Sequence, residues 1–168
     1  RKNLKRLIKA YRNLRLNRKI TDLNLVLIGG KGWLDSGIDK SEEDLQKEGI
    51  IVLGFVEDKW IPAIYSNAIA FIYPSLHEGF GLPPLEAMSC GTPVLMSNTS
   101  SLPEVGGDAT LYFDPLSIEA IEDSIEKIIF DTKLRSQMSK NSLEQSKKFS
   151  WEKTAELTEL VYTKVLDS

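Results

Sequence analysis

The chain has 168 residues, 42% of them hydrophobic and 27% charged, with a net charge of −3. That is an ordinary globular composition, and the length suits one domain able to bury a proper core. A single cysteine, Cys90, excludes an internal disulfide and fits a reducing compartment, so a cytoplasmic location is expected. No run of about 18 apolar residues is present to span a membrane, and there is no signal-peptide pattern. The first residue is Arg1, inside what reads as a helix. The expectation is therefore one domain over residues 1–168, excised from a longer protein.

Residues 1–19 carry nine Lys and Arg and no acid, while the remainder is strongly acidic. Leu4, Leu7, Ile8, Tyr11 and Leu14 recur at helical spacing, which predicts a first helix over 2–19. Its basic residues read as a solvated face or, alternatively, as a contact with anionic lipid or phosphate at a membrane surface. Residues 23–30, LNLVLIGG, read as a buried strand of a parallel sheet. The following G-G-x-G spacing is not a dinucleotide fingerprint. Trp33 reads as loop packing or as a platform for a sugar. Residues 35–39 read as a loop, and 40–48 as a short polar helix opened by Ser41 with Asp44 three residues on.

Residues Ile50 to Leu53 form the next predicted strand, ending in Gly54-Phe55-Val56, where Phe55 is either core or a ligand neighbour. A short helix containing Pro62 follows over 58–66, and then a strand from Ala68 to Tyr73. The stretch from Tyr73 to Val94, YPSLHEGFGLPPLEAMSCGTPV, is the centre of the chain. It reads as strand, glycine-rich turn, helix and second strand. Glycines at 79 and 81 let the backbone approach a ligand, and Pro83 and Pro84 suit a helix start. A helix N-terminus there, at Gly81 and Leu82, is a natural anion site. Glu78 precedes the turn at the carboxyl end of a strand, where open α/β sheets place ligands. Glu86 follows in the early helix, able to accept hydrogen bonds from two neighbouring hydroxyls such as those of a ribose.

His77 is the only histidine, and without a second histidine or a thiol cluster no metal site has a ligand set. It reads as a loop residue. Cys90 reads as a small buried residue at the helix end. Pro93 to Met96 is a strand, 98–101 a polar loop, and 102–105 a helical turn in which Glu104 acts as a cap or lies near a ligand. Thr110 to Phe113 is the last strand. Helices follow over 117–130, 132–147 and 151–166, the last capped by Ser150.

The two glutamates with seven residues between them, and GFGLPPLEAM, resemble the donor-site signature of retaining glycosyltransferases of family 4, which have the GT-B fold. The likeness runs through RKNL at 1–4, LNLVLIG and GKGW, IIVLGFV, GTPVL, LPEV, GDATLYFDP and FSWEKTA, in the family's order. The GKGW and RKNL details look most like bacterial mannosyltransferases that build surface polysaccharides. The resemblance implies an α/β fold: an open parallel Rossmann-like sheet with helices on both faces, the carboxyl-terminal half of a GT-B enzyme lacking its first strand. It implies transfer of a sugar from a nucleotide-diphospho-sugar, GDP-mannose first, to a hydroxyl of a glycan or lipid-linked acceptor. UDP-glucose or a UDP-N-acetylhexosamine is the alternative donor. A non-catalytic nucleotide-binding domain is the second reading and a nucleotide-sugar epimerase, whose family lacks this glutamate spacing, the third.

The same resemblance implies roles. Lys2, at the start of the first helix, neutralises the diphosphate, although the family's companion arginine lies in an upstream turn outside this chain. The helix N-terminus at 82–86 supports that charge, Gly81 and Leu82 are among the donor-binding residues, and Glu86 holds the ribose. Glu78, the catalytic candidate, holds the donor sugar with the N–H groups of Gly79 and Phe80. The strand end at Val56 borders the nucleobase. No metal, cofactor, general base or nucleic acid is implied. The partner is an amino-terminal acceptor domain, and Leu157, Leu160, Val161 and Val165 of the final helix are expected to face it.

Overall fold

The computed structural model describes residues 1–18, 20–30 and 41–167. The apolar stripe folds as foreseen: α1 (Leu4–Arg18) buries Leu7, Ile8, Ala10, Tyr11 and Leu14. It begins after Asn3, whose φ is 59°, so Lys2 lies outside the helix rather than at its start. β1 (Leu25–Ile28) pairs in parallel with β2 (Ile50–Gly54). Between them α2 (Glu42–Lys47) is capped by Ser41, whose Oγ accepts from the Asp44 N–H at 3.2 Å. The expectations for Gly32, Trp33 and the 35–39 loop fall outside the described residues.

A 3-10 turn at Asp58–Trp60 leads into α3 (Ile61–Asn67), with Pro62 in its first turn. The chain then alternates β3 (Phe71–Tyr73), α4 (Leu82–Ser89), β4 (Val94–Ser97), α5 (Leu102–Gly106) and β5 (Leu111–Phe113). Three helices close it: α6 (Ile118–Phe130), α7 (Thr132–Ser146) and α8 (Trp151–Leu166). Each starts on a side-chain cap, from Ser117, Asp131 and Ser150 respectively.

β4 lies between β3 and β5, all parallel, and every residue of it is buried. Its alternating side chains serve two cores. Leu95 joins the α1, α6 and β1 side chains, whereas Val94 and Met96 join Tyr73, Ala87, Met88 and Leu102. The result is helices on both faces of parallel strands, as the sequence implied.

The single open sheet does not appear. The strands form two sheets, β1–β2 and β3–β4–β5. A groove of about 590 Å³ is lined by β1 and β3, with Leu7 and Tyr11 of α1 and Ile125 and Ile128 of α6 among its walls. β1 is correspondingly not buried on both sides: Val26 and Ile28 remain 42% and 37% exposed. Phe55 is not core either, at 79% exposed. α8 buries none of its residues, and Leu157, Leu160, Val161 and Val165 are open.

Four arginines of the basic amino-terminal stretch are engaged within the chain. Arg12 pairs with Glu48 and Arg18 with Glu126. Arg15 donates to the Ile20, Thr21 and Leu23 carbonyls, and Arg6 to Asn3. The carboxylates take up the charge of Arg12 and Arg18, whereas Arg15 and Arg6 bond neutral oxygens and keep theirs.

Candidate donor-binding site

The short apolar strand β3 delivers its last residue, Tyr73, to the rim of the sheet, and the loop to α4 follows. Three features fix that loop. Asn3 donates from Nδ2 to the carbonyls of Pro74 (3.0 Å) and Pro115 (2.7 Å), tying the chain start to the ends of β3 and β5. The Leu76 N–H donates to the Arg1 carbonyl at 3.0 Å. The Glu78 N–H donates to Ser100 Oγ at 3.0 Å, while the Ser101 hydroxyl shares its one proton between the Glu78 and Phe80 carbonyls, 3.0 and 2.8 Å away. Ser101 stands at the N-cap of α5 and its side chain makes no cap bond there; Glu104, a candidate cap, is exposed.

The turn itself needs one glycine. Gly81 has φ 118°, in the range that disfavours side chains, and an added Cβ would stand 3.0 Å from Leu102 Cδ2. Gly79 has no positive φ, and a Cβ there would meet nothing within 4 Å. The protein's own packing gives no reason for glycine at 79.

Gly81 is the N-cap of α4 and supplies no side chain to its first turn. Among the described residues, the N–H groups of Gly79, Phe80, Gly81 and Leu82 find no acceptor. The two prolines cut both ways: they fit the first turn, but they also remove two of the N–H groups that an anion would use. The donors that remain lie in the turn before the helix as much as in the helix itself.

Lys2 and Glu78, 76 residues apart in sequence, meet at this rim. The Lys2 ammonium donates to Glu78 Oε1 at 2.8 Å and to the Tyr73 hydroxyl at 2.6 Å. It lies 4.8 Å from the Tyr73 ring centre, a separation that the hydroxyl contact accounts for, so the oxygen rather than the ring face holds it. The Glu78 carboxyl sits below its ordinary value. Burial pushes it up, but hydrogen bonding from Lys2, Ser75 and Tyr73 and the Lys2 charge outweigh burial. Ser75 Oγ is buried and closes no hydrogen bond at normal length, so we read its part as proximity rather than a formed bond. Lys2 is raised above its ordinary value: desolvation lowers it, and Glu78 and Tyr73 together outweigh that.

Glu86 lies one turn further along α4 than the earliest helix positions, as its fifth residue. It is exposed, and its carboxyl is raised, first by partial burial and then by the Asp58 carboxylate. Asp58 therefore brings a second negative charge from the 3-10 turn towards the same end of α4. Val56 is half-buried after β2, on the other sheet from Glu78. The structure thus joins Lys2 to Glu78 and, along the same loop, to Gly79, Phe80, Gly81 and Leu82, with Glu86 further along α4 and Val56 on the segment after β2. His77 is an exposed loop residue, as expected, and Cys90 is half-buried at the end of α4. Among the described residues no three potential metal ligands cluster.

Sequence reasoning passed over Tyr73, Asn3, Ser100 and Ser101. Tyr73 carried a usable signal: a tyrosine ending a buried strand must find a partner for its hydroxyl.

The family model for glycosyl transferases group 1 matches residues 1–145, a span that contains this cation, carboxylate and row of free backbone N–H groups. The chain belongs to the group 1 glycosyltransferase family. It is 44% identical over 153 residues to the O-antigen chain mannosyltransferase B of Escherichia coli, covering 90% of this chain and 40% of that protein. The chain thus spans under half the length of that relative. Among solved group 1-like structures, sucrose-phosphate synthase from Thermosynechococcus elongatus superposes on 99% of this chain and 43% of its own (TM-score 0.79, 26% identity). The C-terminal domain of a glycosyl transferase group 1 family protein from Francisella tularensis matches 88% of this chain and 78% of its own (TM-score 0.73, 26% identity). The GT-B glycosyltransferase fold expected from the sequence is the fold found.

Proposed function

We propose that this chain is the nucleotide-sugar-binding, carboxyl-terminal domain of a retaining mannosyltransferase that uses GDP-mannose in surface-polysaccharide synthesis. The observation that carries the reading is the meeting of Lys2 and Glu78 beside the open N–H groups of residues 79–82. The leaving group of such a reaction is a nucleoside diphosphate, so the catalytic problem is stabilising diphosphate charge. Lys2 and those N–H groups supply positive potential without a metal ion. Glu78 accepts from hydroxyls of the donor sugar and orients the anomeric carbon. Glu86 accepts from the ribose hydroxyls, and the backbone at Val56 borders the base. With retention, the acceptor attacks from the leaving-group face and the departing phosphate oxygen takes its proton, so no general base is assigned in this chain.

The mannosyl donor rests on likeness to the E. coli mannosyltransferase. UDP-glucose or a UDP-N-acetylhexosamine is the second reading, since no side chain at the rim distinguishes guanine from uracil. The groove between β1 and β3 supports the domain reading: a parallel strand laid there would complete the order β2–β1–x–β3–β4–β5, with the new strand where the classic doubly wound sheet has its first. An amino-terminal acceptor domain of the same protein, and an acceptor glycan or lipid-linked sugar, complete the proposal. The location proposed is cytoplasmic, at most peripheral to the membrane; no helix among the described residues is long and apolar enough to cross one.

Calorimetric titration with GDP and with UDP, repeated on Glu86→Ala, tests this. GDP binding that exceeds UDP binding and is lost in the variant is the expected result. UDP preference moves the donor to glucose or an N-acetylhexosamine. Binding of both nucleotides unchanged by Glu86→Ala removes the ribose role.

A further inference from the structure

We infer that Tyr73 is the positioning residue that keeps the Lys2 ammonium at the phosphate end of the site once Glu78 turns to the donor sugar. The inference rests on the donor-site reading above.

Lys2 has two anchors, the Glu78 carboxylate and the Tyr73 hydroxyl, and they differ in kind. The carboxylate cancels the charge of Lys2. While it does so, Lys2 offers a diphosphate little attraction, and Glu78 itself repels the anion. Glu78 is also the carboxylate proposed for the sugar hydroxyls, so it cannot serve both partners at full strength. A bound donor exchanges one contact for another: phosphate oxygen replaces Glu78 on Lys2, and sugar hydroxyls replace Lys2 on Glu78. In that exchange Lys2 would lose its charged anchor and, as a long side chain 43% exposed, regain its rotamer freedom.

Tyr73 prevents that. Its hydroxyl is neutral, so it fixes the ammonium without cancelling its charge. Its ring is 8% exposed and cannot follow Lys2 outward. It packs on Phe71 with centroids 5.8 Å apart, and Phe71 in turn meets Tyr65 edge-on at 5.2 Å. Phe71 and Tyr73 are two residues apart on one strand and so share a face, which places the hydroxyl at the strand's end from a rigid base. An ammonium has three protons, and two are committed here. The third, with the one Glu78 releases, is available to phosphate oxygens. Holding the cation in place beforehand is a gain in preorganisation rather than a new contact.

Tyr73→Phe deletes the hydroxyl and keeps the ring and its packing. Titration of this chain and the variant with GDP, UDP and guanosine reads the effect. The expected result is about tenfold weaker binding of the preferred diphosphate, the size of one hydrogen bond to a charged group, with guanosine binding unchanged. In the Lys2→Met background Tyr73→Phe is expected to have no further effect. Equal loss for guanosine, equal loss with or without Lys2, or no loss where Lys2→Met does weaken diphosphate binding each overturns the inference. A parent chain that binds neither diphosphate sinks the donor-site reading first and this inference with it. A parent that binds while Tyr73→Phe matches it sinks the inference alone.

Discussion

At the scale of single residues, the site is set by a few contacts with sharply different consequences. Gly81 holds a backbone conformation closed to side chains and faces Leu102 across 3.0 Å. Gly81→Ala is expected to cost about 1–3 kcal/mol, lowering Tm by roughly 2–4 °C for each of them, as a thermal melt would read. Gly79→Ala is expected to leave Tm unchanged, because the added methyl meets no protein atom, and to weaken nucleotide binding if a ligand sits against it. The Lys2–Glu78 pair gives a pH signature. Glu78 is lowered from 4.5, so its contribution is present above that value and fades as pH falls through the lower folded-state value. Lys2 is raised from 10.5, so its contribution persists through neutral pH and fades only as pH rises past the higher folded-state value. The stability difference between the chain and Glu78→Gln should therefore be flat from about pH 5 to 10 and close at the acid end. Lys2 is well exposed, so the difference is small, about 0.2–1 kcal/mol by denaturant titration.

At the scale of elements, the loop before α4 depends on its neighbour, the turn into α5. Ser101 holds the Glu78 and Phe80 carbonyls, and Ser100, at φ 52°, receives the Glu78 N–H. Ser101→Ala is expected to raise KM for the donor in an active full-length enzyme more than it lowers kcat, since it loosens the loop without touching substrate. It lowers the stability of the fold by no more than about 1 kcal/mol, one hydrogen bond's worth. α8 stands at the other extreme. Sixteen residues with none buried leave it leaning on its Ser150 cap and on intrinsic propensity, and isolated helices of this length are marginal. Amide exchange measured by mass spectrometry should find α8 exchanging orders of magnitude faster than α6, which buries Ile121, Ile125 and Ile128. Most elements were legible before the structure because each carried its own local signal. The stripe of α1, the caps at Ser41 and Ser150, and Gly81 before Pro83-Pro84 all act within a few residues of themselves. Phe55, open between core and ligand neighbour, shows the opposite case: an aromatic at a strand end is core only if another element covers it, and none of the described residues does.

At the scale of the whole molecule, the divided sheet is the main departure from expectation. β1 and β3 face the same apolar groove, each with one edge that has no strand partner among the described residues, so backbone groups and apolar side chains meet water there together. An environment-sensitive apolar dye should bind this chain at the groove. It should bind far less to a longer form in which a further strand fills the gap, and that form should melt higher. Equal dye binding by both forms would show that no strand enters the groove.

The sequence by itself determined the family, the alternation of parallel strands and helices, and the two glutamates that bracket the glycine turn. Each is written in short windows of sequence, the glutamate pair across eight positions, and local spacing survives without knowing the fold. Tertiary structure alone decided that Lys2 reaches Glu78 across 76 positions, that Tyr73 and not only the carboxylate receives it, and that Ser100 and Ser101 clamp the loop. It also decided that the sheet stands in two parts. Each of these depends on which strand ends lie side by side, and that order is set by burial of side chains from the whole chain, which no short window of residues contains.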